Sequence, residues 1–311
     1  STRVIEAGDG VGGTWYWNAY PGARCDVASY NYAYFFNNEI VRDWNWSDVC
    51  SGQEEIQKYL RFAAEQCDVV KLITFNTKVA SVVYDDSTAL WSVRTSADEV
   101  VVCRYVVLAI GALSEPKTPD IEGVESFAGE AYFTSSWPRD KAIDLRNKRV
   151  GVIGTGSSGV QVVPEVAKVA REVTVFQRTA NYVVPTDSGP IDPVRMSSLR
   201  EDPQAVRAAL RETYGGNQVL RIGEHRFHEL DAAGREKALQ DAWNGKYIAL
   251  AFWDAHLPEA NAQISEFIRQ NAQHFQNHRP INEIIKGQLG AIAAADLQAI
   301  EDRLDADYRR F

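Results

Sequence analysis

At 311 residues the chain is long enough for two domains, each with its own core. Hydrophobic residues make up 45% and charged residues 24%, with 11 prolines, a composition that excludes long disordered or low-complexity tracts. A formal net charge of -9, with no basic cluster longer than Arg309-Arg310, excludes a nucleic-acid binder, because neutralising phosphates takes clustered cations.

The longest apolar run, Tyr105 to Leu113, falls far short of the roughly 20 residues that cross a bilayer, so the expected location is cytoplasmic. Cysteines at 25, 50, 67 and 103 show neither C-x-x-C spacing nor histidines nearby and read as free thiols. The only methionine is Met196, and Ser1-Thr2-Arg3 runs straight into a strand, so the sequence is expected to be a piece of a longer polypeptide.

In chain order, residues 3 to 7 read as a short buried strand ending in an acidic residue, followed by a loop dense in glycine and aromatics up to Tyr34. Ile56, Tyr59, Leu60, Ala63, Ala64 and Cys67 recur at the spacing of one helix face and predict a helix over Glu54 to Cys67. Lys78 to Tyr84, Leu90 to Thr95 and Val100 to Arg104, separated by polar turn clusters, predict a β-meander. The apolar run Val106 to Ile110, stopped by Gly111, predicts a strand buried on both faces of a parallel sheet. Ser114 to Pro119 is the expected domain crossing. A second α/β unit begins at Arg149, with a strand through Ile153, a helix over Val160 to Ala170 and a strand over Val173 to Phe176. Beyond Asp187 the pattern turns helical, for instance at Ala205 to Thr213 and Ile264 to His274.

Two loops fit G-x-G-x-x-G. Gly154-Thr155-Gly156-Ser157-Ser158-Gly159 lies between an apolar strand and a helix, the setting a dinucleotide loop requires. Its first glycine allows the tight turn, the second lets backbone approach a pyrophosphate, and the third lets helix and strand pack closely, with the helix N-terminus facing the negative charge. Pro164 should kink that helix locally. After the second strand stand Gln177-Arg178-Thr179 and no carboxylate. Arg178 can clamp a ribose 2′-phosphate with the Thr179 hydroxyl beside it, which favours NADPH over NADH.

Gly8-Asp9-Gly10-Val11-Gly12-Gly13 also fits, but Thr14-Trp15-Tyr16-Trp17-Asn18-Ala19-Tyr20-Pro21-Gly22 follows, which is no amphipathic helix for packing on a sheet. Glu6 fits better as the acidic residue ending the second strand of a dinucleotide fold, with that fold's phosphate loop upstream of Ser1. An ordinary strand-end charge is the alternative for Glu6.

The stretch Gly12 to Asp26 closely resembles the flavin-side motif of Baeyer-Villiger monooxygenases, the class B flavoprotein monooxygenases. Trp44-Asn45-Trp46 with Gln53-Glu54-Glu55-Ile56, Pro116 to Gly123, Arg149 to Gly159, and Gln177-Arg178-Thr179 with Pro185 look like further blocks of that family in the same order. The resemblance implies an α/β chain of two Rossmann-like dinucleotide-binding domains: an incomplete FAD domain with the meander over 1–113, and an NADPH domain over 114–311 with a helical extension from about 187. It implies that Glu6, Gly13, Thr14, Trp15, Tyr16, Trp17, Tyr32 and Val79 contact FAD, and that Arg24, Cys25 and Asp26 lie between flavin and nicotinamide. Asp26 is the one catalytic candidate, since a carboxylate in an aromatic loop can orient a cation or tune its protonation; from the residues alone a turn or cap aspartate is the equal alternative. Gly154, Thr155, Gly156, Ser157, Ser158, Gly159, Gln161, Arg178 and Thr179 would bind NADPH. The implied chemistry is reduction of FAD by NADPH, capture of O2 as a C4a-peroxyflavin and conversion of a ketone to an ester or lactone, with no metal and no nucleic-acid or membrane partner.

The family's fingerprint resembles F-x-G-x-x-x-H-x-x-x-W. This chain has Phe127, Gly129 and Trp137 at matching spacing but Phe133 in place of the histidine, which removes a donor, an acceptor and a proton. The family's catalytic arginine is expected beyond Phe311, so the chain alone is expected to be inactive. Two other readings stand beside this one. A flavin-containing or N-hydroxylating monooxygenase would share two dinucleotide folds and lack the Thr14 to Trp17 block. A non-catalytic NADP-binding descendant would bind nucleotide without turnover. Arg178→Ala is expected to weaken NADPH binding far more than NADH binding in fluorescence titrations; equal weakening removes Arg178 from the site.

Overall fold

The computed structural model describes residues 1–117, 119, 121–177, 188–213, 223–244, 251–252, 255 and 257–276. The chain divides into two compact units, Ser1–Ala142 with Asp187–Glu212, and Ile143–Thr186 with Thr213–Phe311. The expected boundary after Leu113 is therefore moved: the crossing segment as far as Ala142 falls with the first unit. In chain order the elements begin with β1 (Val4–Ile5), α1 (Thr14–Trp17), α2 (Asn38–Asp43), α3 (Gln53–Gln66), β2 (Ile73–Thr74), β3 (Val79–Asp85), β4 (Leu90–Thr95) and β5 (Val100–Cys103). They continue with β6 (Arg149–Ile153), α4 (Ser157–Ala167), β7 (Glu172–Phe176), α5 (Pro193–Glu201), α6 (Pro203–Arg211), α7 (Ala232–Asn244) and α8 (Pro258–Gln276). Among the described residues no helix is long and apolar enough to cross a membrane.

In the first unit α3 organises the core. Ile56, Tyr59 and Ala63, spaced three and four apart, are fully buried, with Leu60 and Cys67 at the margin. They meet Ile40 and Val41 of α2 and Trp46, whose ring centroid lies 4.8 Å from that of Tyr59. The Tyr59 hydroxyl accepts the Tyr34 N–H at 2.7 Å, satisfying a loop amide from inside the core. Ile191, Met196 and Leu199 complete the same cluster, so α5 and α6 pack with the first unit and are not an extension of the second. Each begins at an aspartate whose carboxylate caps it, Asp192 for α5 and Asp202 for α6, followed by proline at the first helical position.

The edge of the unit that leads to the site is a parallel pair, β1 on β2, with Val4 opposite Ile73 and Ile5 opposite Thr74. β2 spans two residues, too few for an alternating pattern to reveal it. The meander forms as one antiparallel sheet in the order β3-β4-β5, its boundaries within a residue of those expected. Val106 to Ile110 departs from expectation. It forms no strand, and Val107 is 87% and Leu108 67% exposed. A buried parallel strand needs neighbours along both edges, and no described strand lies beside this run.

In the second unit β6 and β7 pair in parallel from Arg149 opposite Glu172 to Ile153 opposite Phe176. α4 packs on them through Val162, Val166 and Ala167. It begins earlier than the apolar periodicity suggested and contains Pro164 within its helical span. Helices α7 and α8 form a separate cluster, in which Leu239, Ala242, Ala260, Ile264 and Phe267 pack with Phe227 and Phe252.

Ile56→Ala removes a fully buried side chain and should cost about 2–4 kcal/mol in urea unfolding of this chain. Val107→Ser should change stability by less than about 0.5 kcal/mol, given its exposure.

Candidate functional site

At the end of β1, the Glu6 carboxylate accepts the Gly8 N–H at 2.7 Å, so the following loop orients it. The loop curls around one ring. A side chain at Gly8 would come within 2.8 Å of the Tyr16 ring, and Gly12 and Gly13 hold φ values of +139° and +51° that other residues adopt only with strain. Within Thr14–Trp17 only Tyr16 is buried, and its hydroxyl donates to Asp9 Oδ1 at 2.7 Å while accepting the Asp9 N–H at 3.2 Å.

A helix of four residues leaves its carbonyls without intrahelical partners. Here each is met. Thr14 O accepts the Asn18 N–H and its side-chain amide, and Trp15 O accepts from Gln53 Nε2. Tyr16 O accepts from Arg139 Nη1 at 2.8 Å, and Trp17 O accepts the Trp137 N–H at 3.2 Å. The Arg139 guanidinium also lies 4.4 Å from the centroid of the Tyr16 ring. Sequence reasoning singled out neither Gln57 nor Arg139. Gln53 and Gln57 sit on the buried face of α3 beside Ile56, and a polar pair there is itself a signal that buried partners exist. Arg139 leaves no such signal, because its partners lie as many as 123 residues away.

Arg24, Cys25 and Asp26 run extended beside residues 51 and 52, with Cys25 N–H donating to Ser51 O at 3.1 Å. The two-residue alternation of extended backbone leaves Arg24 and Asp26 exposed and turns Cys25 inward, 3% exposed. The Cys25 thiol therefore packs in the core. A hydrogen bond with the Cys50 thiol, together with burial, pushes its pKa up and keeps it protonated. Only the Cys25 backbone belongs with its two neighbours' side chains. Arg24 Nη1 donates to Ser188 Oγ. Tyr32 meets Trp15 edge-on at 5.7 Å, and burial above all pushes its phenol up to about 12, leaving it a neutral donor at ordinary pH. Val79 opens β3, exposed and next to a register shift. Further along, the Phe127 ring covers Gly129, where an added Cβ would come within 2.6 Å of it, and Phe133 is 38% exposed.

In the second unit the glycines of Gly154 to Gly159 divide their work. Gly154 turns at φ +103°, its N–H donating to Phe176 O at 2.9 Å. A Cβ on Gly156 would meet nothing within 4 Å, whereas one on Gly159 would meet Gly154 O at 2.4 Å. Gly156 and Ser157 are exposed, Thr155, Ser158 and Gln161 half-buried, and no side chain caps the start of α4 among the described residues. Open backbone at an uncapped helix start fits an anionic dinucleotide. Arg178 and Thr179 lie outside the described residues. Among the described residues there is no group of three or more His, Cys, Asp or Glu that could hold a metal ion.

Residues 35–236 match the model of the family described as pyridine nucleotide-disulphide oxidoreductase. The chain belongs to this family. Among its relatives, 2-oxo-Delta(3)-4,5,5-trimethylcyclopentenylacetyl-CoA monooxygenase of Pseudomonas putida is 46% identical over 201 residues, covering 63% of this chain and 37% of that protein. Cyclopentanone 1,2-monooxygenase of Comamonas sp. is 35% identical over 277 residues, covering 87% of this chain and 50% of that protein. A solved structure of OTEMO in complex with FAD and NADP superposes with a TM-score of 0.78 at 38% identity, over 86% of this chain and 52% of that one. The chain thus spans about half or less of the length of these proteins. The α/β class with a pyridine-nucleotide domain, expected from sequence, is the observed one.

Gly156→Ala should fold like the parent yet bind NADPH less tightly, since its Cβ would occupy only the open space over the loop. Gly159→Ala should lower the melting temperature as well, because strand and helix must separate to admit the methyl group. Thermal melts and nicotinamide-fluorescence titrations of both variants check the pair.

Proposed function

We propose that the chain forms the NADPH-binding unit and part of the FAD-binding unit of a Baeyer-Villiger monooxygenase that turns ketones into esters or lactones. The observation that carries this reading is the coexistence, in one chain, of the anchored Thr14–Trp17 turn and the Gly154–Gly159 loop, in a chain whose relatives over most of its length include cyclopentanone, acetone and cyclohexanone monooxygenases beside a phenazine N-monooxygenase. The net reaction consumes ketone, O2, NADPH and a proton and releases ester, NADP⁺ and water. Bound FAD and NADPH supply the reducing equivalents and the site of oxygen activation.

The chain's own residues bind and orient. Glu6, held by the Gly8 N–H, accepts from a ribose hydroxyl, and the open backbone at Gly13 lies against the flavin nucleotide with Thr14, Trp15, Tyr16 and Trp17. Tyr32 donates from a neutral phenol, and Val79 supplies apolar contact. Arg24 and Asp26, exposed side by side along the extended segment, orient the nicotinamide, with Asp26 in the catalytic role and the Cys25 backbone between them. Gly154, Gly156, Gly159 and the start of α4 cradle the pyrophosphate of NADPH, with Thr155, Ser157, Ser158 and Gln161 as polar neighbours. Arg178 and Thr179 take the 2′-phosphate. A cytoplasmic enzyme acting on a small ketone, with no nucleic-acid or membrane partner, completes the proposal.

The test is to incubate the complete polypeptide that carries this chain with FAD, NADPH and a ketone panel and to measure ester or lactone. Ester formation is expected; NADPH binding without oxygenation of any ketone overturns the reading. In the same polypeptide Phe133→His should raise the ester formed per NADPH consumed, and an unchanged ratio means that position 133 only packs.

A further inference from the structure

We propose that Arg139 is a positioning residue for the flavin, acting through the Thr14–Trp17 turn. The inference rests on the flavin-side reading of that turn given above and adds a residue to it. Arg139 reaches the turn by three routes. Its Nη1 donates to Tyr16 O at 2.8 Å, its guanidinium lies 4.4 Å from the centroid of the Tyr16 ring, and its Nη2 donates to Gln57 Oε1 at 3.4 Å.

Gln57 Oε1 also accepts from Gln53 Nε2 at 3.1 Å, and the same Gln53 nitrogen donates to Trp15 O. Two consecutive carbonyls of α1 are therefore held by one relay, Gln53 to Gln57 to Arg139, and the third, Trp17 O, by the Trp137 N–H two residues before Arg139. Tyr16 passes the constraint onward. Its hydroxyl is paired with Asp9, its ring fills the space beside Gly8, and its backbone N and Cβ crowd Gly12, so displacing Tyr16 displaces the loop from Gly8 to Gly13. Trp17 packs edge-on against the held Tyr16 ring at 4.7 Å. Arg139 itself is exposed, so its removal opens no cavity in the core around Ile56 and Tyr59. A residue that merely supported the fold would act through that core. Arg139 acts on the loop, directly at Tyr16 and through the polar side chain of Gln57.

The experiment uses the complete polypeptide that carries this chain, stripped of flavin and titrated with FAD, for wild type, Arg139→Ala and Arg139→Lys. The readouts are the dissociation constant from flavin-fluorescence quenching, the visible circular dichroism of bound flavin, and the melting temperature of the flavin-free protein. Arg139→Ala should raise the FAD dissociation constant about tenfold and alter the flavin dichroism, with the flavin-free melting temperature unchanged. Arg139→Lys keeps a cation over Tyr16 and one donor, and should recover most of the affinity. Equal FAD affinity and dichroism in wild type and Arg139→Ala overturns the inference alone, as does a fall in melting temperature with affinity unchanged. Failure of the wild-type protein to bind FAD overturns the flavin reading of the turn and this inference with it.

Discussion

A helix of four residues cannot hold itself together: it bears the cost of the first turn with almost no propagation to offset it, and its carbonyls lack partners within the helix. The turn Thr14–Trp17 exists because the chain brings partners to it from three directions, Asn18 from its own end, Gln53 from α3, and Trp137 with Arg139 from the segment ahead of Ala142. The aromatic loop is therefore conditional on the α3 core, and whatever moves α3 or the 134–139 segment moves the loop.

The two glycine-rich loops show why spacing underdetermines structure. Both satisfy the same pattern, yet their glycines answer different crowding. At Gly8 and Gly12 the obstacle is Tyr16, and the loop wraps a ring. At Gly159 it is the carbonyl of Gly154, and the loop brings a helix start onto a strand end while Gly156 stays open. What separates them in sequence is the next ten residues. Val162 and Val166, four apart, share one buried helical face, whereas Trp15, Tyr16 and Trp17 in a row cannot share one face of a helix.

Elements whose hydrophobic period runs over several turns or strands were legible: the face of α3, the three strands of the meander and the β6-α4-β7 unit all lie close to their expected limits. What escaped depends on neighbours rather than on pattern. β2 is defined only by pairing with β1, and helices α5 and α6 join the first unit because Met196 and Leu199 share one buried cluster with Ile40 and Tyr59. The run Val106 to Ile110 reads as a buried strand because apolarity records what a segment requires, not whether a partner is present among the described residues. At the site, glycine and carboxylate positions could be read from motif logic, while Arg139 and the inward turn of the Cys25 thiol could not. One depends on a contact across 123 residues and the other on which face of an extended segment meets the core.

The same geometry bears on Phe133. The segment that carries it is fixed to the aromatic turn by the backbone N–H of Trp137, a donor that any residue but proline would supply, and by the side chain of Arg139. Neither contact uses the side chain at 133, which is 38% exposed. An imidazole at that position is therefore not required for the segment to reach the turn, and its replacement by phenylalanine leaves the anchoring intact. What the exchange removes is chemical: a group able to donate, accept and carry a proton near neutral pH. Structure and reactivity at this segment are separable, because backbone and a neighbouring arginine hold it while the side chain at 133 stands outside the hydrogen-bonded relay.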